Sequence, residues 1–182
     1  RGGSLSGREQ NCCYLNLGVP AQPRFADVTH VSGFDASVDG RGLALSDWDR
    51  DGDLDIWTSN RTGQRLQYFR NDTKPSRRFL SLRLQGTKSN RDAIGARIEV
   101  EVEPSVGVIT RTVTAGVAYL SQSSKWVHFG LAEAQRIKSV RVRWPGTREF
   151  ENVTGVTLDG MFRVVEGEGT AIEQASVTTS GP

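Results

Sequence analysis

Lysine, histidine, cysteine and methionine are all scarce in this chain. It holds two Cys, two His and one Met in 182 residues, and among its 23 basic residues only Lys74, Lys88, Lys125 and Lys138 are lysines. The two cysteines, Cys12 and Cys13, are adjacent. Neighbours along a chain cannot readily reach disulfide geometry with each other, so a framework of internal bridges is excluded. Two readings remain for them, a pair of small buried apolar residues or a bridge to another chain. With His30 and His128 as the only histidines there is no HExxH pair, and neither a GxSxG elbow nor a Gly-rich phosphate loop occurs. In "KWVHFGL" His128 shares a strand face with Trp126 and Gly130 and reads as a packed or rim residue.

Long apolar runs are missing too. None approaches the roughly 20 residues of a membrane-spanning helix. The formal net charge of +2 and the pI near 8.7 give no signal for nucleic acid or an anionic membrane surface. The chain begins at Arg1 with no leader in view, and reads as processed or as a piece of something longer. No window shows a sustained helical stripe, and "LAEAQRI" allows two turns at most.

What is present is alternation of period two. "ARIEVEVE" (Ala96–Glu103), "FLSLRL" (Phe79–Leu84) and "VRVRW" (Val140–Trp144) alternate cleanly, and "VITRTVT" and "MFRVVE" add β-branched runs. The fold class is therefore all-β, with antiparallel sheets that present one face to a core and one to water. Composition divides the chain into four parts. Residues 1–23 are an N-terminal segment with one strand, and 24–72 are rich in Asp, Gly and Asn with short strands. Residues 78–168 carry longer, regular strands, and 169–182 form a Thr/Ser-rich tail. A tail of that composition is a flexible end unless a sheet edge or a neighbouring molecule holds it.

One stretch demands a counter-ion. "DWDRDGDLD" places Asp47, Asp49, Asp51, Asp53 and Asp55 at alternate positions around Gly52. So many confined carboxylates repel one another and raise each other's pKa unless a cation neutralises them. Calcium accepts six to eight oxygens in irregular geometry, and the glycine supplies the sharp turn. Counted from Asp47, the first, third, fifth and ninth positions offer side chains, and the seventh, Asp53, is the place of a backbone carbonyl. Thr58 stands where an EF-hand needs a bidentate Glu, and both flanks read as strands, so this is a calcium loop on a β-hairpin. No His or Cys lies near it to favour a transition metal.

The stretch Arg24–Asp72 resembles an FG-GAP or VCBS repeat, the calcium-loop blade unit of β-propellers and of many surface proteins. "NRDAIGARIEV", "AGVAYLSQSSKWVHFGLAEA" and "SVRVRWPGT" resemble the ASPIC/UnbV domain that follows such repeats. Together the likeness spans about Gly3 to Glu166. It implies a single blade-like module packed on an antiparallel β-sandwich, an extracellular or cell-surface location, and Ca²⁺ held by Asp47, Asp49, Asp51 and Asp55 with Asp53 at the carbonyl position. A lone blade has open edges, which invite a homo-oligomer or another extracellular protein or glycan as partner.

The reading is a secreted, calcium-stabilised structural or adhesive module, a candidate subunit of a self-assembling extracellular filament or surface layer, and not an enzyme. Two alternatives stay open. One is a calcium-dependent carbohydrate-binding module built on exposed tryptophans among Trp48, Trp57, Trp126 and Trp144, although Trp in alternating strands ordinarily joins the core. The other is a glycan-active hydrolase with two carboxylates in one cleft. Ser121, Ser123 and Ser124 in "LSQSSK" have no base beside them in sequence and read as a turn whose hydroxyls satisfy backbone groups. Asn60, Asn71 and Asn152 head N-x-S/T sequons and are candidate glycosylation acceptors.

Overall fold

The computed structural model describes residues 10–18, 22–61, 63–73, 78–104 and 107–174, and every regular element among them is a strand. The first two, β1 (Tyr14–Asn16) and β2 (Phe25–Asp27), form an isolated antiparallel ribbon. Next, β3 (Gly40–Ser46), β4 (Asp55–Asn60) and β5 (Leu66–Phe69) make a three-stranded antiparallel meander. The remaining strands are β6 (Arg78–Gln85), β7 (Arg97–Glu103), β8 (Val108–Thr112), β9 (Val127–Ala132), β10 (Arg136–Arg143), β11 (Glu151–Val153), β12 (Gly160–Val165) and β13 (Ala171–Glu173). They build two four-stranded sheets, in the orders β11-β10-β7-β8 and β13-β12-β6-β9.

These two sheets are the layers of a sandwich. Alternate residues of each strand point inward: Leu80, Leu82 and Leu84 from β6, Ile98, Val100 and Val102 from β7, Phe129 and Leu131 from β9, Val140 and Val142 from β10, Phe162 and Val164 from β12. Each is 5% exposed or less. The alternation legible in the sequence thus becomes one closed core. One ladder departs from the antiparallel expectation, since β12 lies parallel to β6 with Gly160 opposite Leu80. A parallel neighbour needs a long crossover, and here the chain crosses through the opposite sheet before returning. The tail finds its sheet edge at β13, which pairs with β12. Residues 175–182 lie outside the described ones, as do 74–77 of the polar connection between the two regions.

Charged residues of β7 and β10 pair between the strands, with a bulge at Lys138. Arg136 pairs with Glu103, Lys138 with Glu101, and Arg141 with Glu99 across the ladder. Glu99 departs from a simple solvent-face reading: it is 7% exposed and held by both Arg97 and Arg141. Burial of that carboxylate is tolerated because two guanidinium groups satisfy it.

The first half of the chain contrasts with this. Among the described residues, every buried apolar side chain belongs to the span 80–171. Tyr14, Leu15, Leu17 and Phe25 on the β1–β2 ribbon are all exposed. Cys12 is exposed and Cys13 half-buried, and both are free thiols, so neither is a fully buried packing residue.

Candidate metal centre

The β3–β4 hairpin positions the acidic loop. Ser46 lies opposite Asp55, and the loop runs between them. Two residues in it take left-handed backbone, Arg50 at φ 62° and Gly52 at φ 96°. At Gly52 a side chain is excluded twice, by that dihedral and because a Cβ would overlap the Phe79 ring of β6. Phe79 in turn stacks on His128, with ring centroids 5.8 Å apart and planes 10° from parallel. His128 is therefore a half-buried support beneath the loop. Burial, and then the charge of Arg111, push its pKa down.

Of the five aspartates, Asp47, Asp49 and Asp51 are brought together, each offering a ligand oxygen within 4.8 Å of the others. Both carboxylate oxygens of Asp47 and one of Asp53 are buried without a hydrogen-bond partner. Burial, then the charge of Asp51, raises the Asp47 pKa to about 6, and the nearby amides of Gly52 and Arg50 offset only part of this without completing a hydrogen bond to it. Burial, followed by Asp51, Asp55, Asp49 and Asp47 in that order, raises Asp53 to about 6 as well. Asp49 is also pushed up, by burial and then by Asp51. Unpartnered buried carboxylate oxygens are costly, and a hard cation is the species that relieves them. The residues present fit such an ion.

Asp55 has a different place. It is fully buried, and its two oxygens accept the amides of Trp48 (2.9 Å) and Asn71 (3.0 Å). It also meets the Tyr68 hydroxyl, whose pKa rises to about 12, chiefly through burial and then through the bond to Asp55. Asp55 ties the loop's start to the irregular segment that follows β5. Its position outside the group of three is something sequence spacing does not reveal.

The meander has two faces. Leu45, Ile56 and Phe69 are opposed on one, where Phe34 packs on Phe69 with centroids 4.8 Å apart. Ala44, Trp57 and Tyr68 share the other, where Trp48, Trp57 and Tyr68 form a continuous aromatic run with centroids 5.3 Å and 4.6 Å apart. Trp144 is in the sandwich core and donates to Glu151 at 2.6 Å, whereas Trp48 is 64% exposed. The core expectation for tryptophan holds for Trp144 and fails for Trp48.

The serine-rich turn proves to be a seam. Leu43 N–H donates to Ser121 Oγ (3.3 Å), and Ser121 Oγ–H donates to the Leu43 carbonyl (2.7 Å). Leu45 N–H donates to Ser123 Oγ (3.1 Å), and Ser124 N–H donates to the Leu45 carbonyl (3.0 Å). The outer edge of β3 is thereby sealed by side chains and one amide from the sandwich segment.

The sequon asparagines differ in access. Asn60 is 7% exposed and its amide donates to Gln64 O and Gln67 Oε1, both at 2.7 Å. The Asn71 side chain is half-buried and accepts from Thr73 N and Oγ1. Asn152 is exposed on β11.

Residues 86–171 match the family described as ASPIC and UnbV. That span covers the sandwich from the turn after β6 to the start of β13 and leaves the acidic module outside it. No curated protein matches the chain.

Proposed function

We propose that the chain is an extracellular structural and adhesive module whose acidic loop binds Ca²⁺ and whose ASPIC/UnbV-type sandwich is the rigid base on which that loop is set. The observation that carries this is the pair of buried, unpartnered oxygens on Asp47 within reach of Asp49 and Asp51. Asp47, Asp49 and Asp51 supply the first oxygens. Asp53 and Asp55 complete the set, Asp53 from its backbone and Asp55 through the lone pairs its two amide bonds leave free. The role is to hold a hairpin that has no buried apolar residue of its own. Extracellular calcium modules work at dissociation constants near 10⁻⁴–10⁻³ M, which suits a site half open to water. The module also presents the outer edge of β5 and the exposed β1–β2 ribbon, and these support assembly with further copies into a filament or surface layer. In this role the chain catalyses no reaction.

Calorimetry with and without calcium tests this reading. At a hundredfold excess over the dissociation constant, the ion adds about 2–3 kcal/mol to the stability of the acidic region. Asp47→Asn abolishes that gain and leaves the metal-free protein no less stable, because a repelling charge is gone. Identical unfolding curves in calcium and chelator would sink the metal assignment. Light scattering in the same buffers reads assembly, and a monomer in both removes the filament part alone.

A further inference from the structure

We infer that the aromatic face of the β3–β4–β5 meander is a saccharide site, with Trp48 as the stacking platform and Lys125 as the reader of a carboxylate on the sugar ring. The face opens as a groove of about 740 Å³, lined among others by Ala44, Trp48, Trp57, Leu66, Gln122 and Lys125. That size is within the ordinary range for small-ligand sites. Trp48 leans edge-on against Trp57 and leaves most of its own surface to solvent. The C–H bonds of a pyranose carry slight positive charge and lie well against the negative face of an indole, while its hydroxyls need polar partners around the rim.

Those partners are present and idle. The side chains of Gln122 and Lys125 sit on the rim with no hydrogen-bond or ion-pair partner among the described residues. The Trp57 indole N–H is buried and likewise unpartnered. This decides between two kinds of occupant. An apolar sheet laid over the groove would bury a free amide and a free ammonium and satisfy neither, at a real cost. A sugar supplies acceptors for both. Among the described residues no acidic side chain lines the groove and Lys125 is the one charge facing a ligand there, so an acidic ring complements it. The serine seam fixes this side of the site, because Gln122 lies between, and Lys125 directly after, the serines that bind the β3 edge.

Intrinsic tryptophan fluorescence of the calcium-loaded protein, titrated with β-1,4-linked tetraglucuronate and with cellotetraose, tests the assignment. The expected result is a saturable shift with the acidic sugar. Binding weakens about tenfold in Trp48→Ala, the scale of a lost aromatic stack. In Lys125→Gln it weakens about threefold, as for an exposed charge contact, and the acidic sugar loses its advantage. Lys125→Gln lies outside the acidic loop, so a Trp48→Ala protein that misfolds does not leave the matter undecided. Three outcomes overturn the inference: no saturable shift with either sugar up to about 10 mM, a shift unchanged in Lys125→Gln, or a self-association that Trp48→Ala abolishes while neither sugar competes. A preference for cellotetraose overturns the carboxylate reading. A protein stabilised by calcium that ignores both sugars sinks the saccharide site and leaves the metal reading standing.

Discussion

The acidic module and the sandwich solve the problem of carboxylates by opposite means. In the sandwich, acids are satisfied from within: Glu99 by two arginines, and Glu166 by the amides of Thr87, Lys88 and Ser89 together with the Ser89 hydroxyl. In the acidic loop, Asp47 and Asp53 keep buried oxygens that no described residue satisfies. The same division runs through the packing, since among the described residues one region supplies the whole core. A region with a core can complete its own electrostatics. A region without one depends on what it is given, and here it is given the Phe79–His128 shelf, the serine seam and, in our reading, an ion.

The largest break in this comparison comes from the core. Phe129 is fully buried between the two sheets, and Phe129→Ala should cost about 3–5 kcal/mol through lost transfer energy and the cavity left behind. Leu66→Ala, on the exposed side of β5, should cost less than about 1 kcal/mol. Denaturant unfolding of both variants checks the pair. Similar losses would mean that the acidic region buries its apolar residues after all, against another copy or another molecule.

A middle-sized effect belongs to the seam. Ser121→Ala with Ser123→Ala removes the hydroxyls that hold Leu43 and Leu45. Each lost bond should cost about 1 kcal/mol, softened where water reaches the edge. Hydrogen exchange at the Leu43 and Leu45 amides should accelerate in the double variant while the β7–β10 ladder stays protected. Acceleration in both places would make the two regions one cooperative unit and erase the contrast.

How much of this was legible depends on the range of the interaction. The strands were, because alternation is a local signal: "ARIEVEVE" announces β7 as soon as one face must be buried. The crowding of carboxylates in the acidic loop was legible from spacing alone. The sorting of its carboxylates was not, because Asp55 is also tied to the Asn71 amide, 16 residues further on. The serines read as satisfying backbone groups, and they do, but for a strand 78 residues earlier. The parallel β6–β12 ladder has the same character, since nothing near either strand names the other. Glu99 reads as a solvent-face acid until Arg141 is placed across the ladder.

The smallest effect is the most discriminating, because the two regions should respond to acid with opposite sign. Glu166 is partly desolvated, which works against its ionisation, but the amides of Ser89, Thr87 and Lys88 and the Ser89 hydroxyl outweigh that and hold its pKa at about 2, below the ordinary 4.5. A depressed carboxyl contributes stability that is full above about 4.5 and is lost as pH falls through about 2. Asp47 and Asp53 are raised to about 6 from 3.8. In chelator the native loop therefore holds protons that the unfolded chain releases, and between about pH 6 and pH 4 acid should stabilise the acidic region. Calcium reverses that slope, since protons then compete with the ion for the same oxygens. Residue-resolved hydrogen exchange across this pH range follows both regions in one sample. Glu166→Gln should flatten the response of the sandwich below pH 4.5 and leave the loop's response alone. If the acidic region in chelator instead loses protection on the way down from pH 6, its carboxylates are already satisfied from within, and the distinction between the two halves of the molecule falls with them.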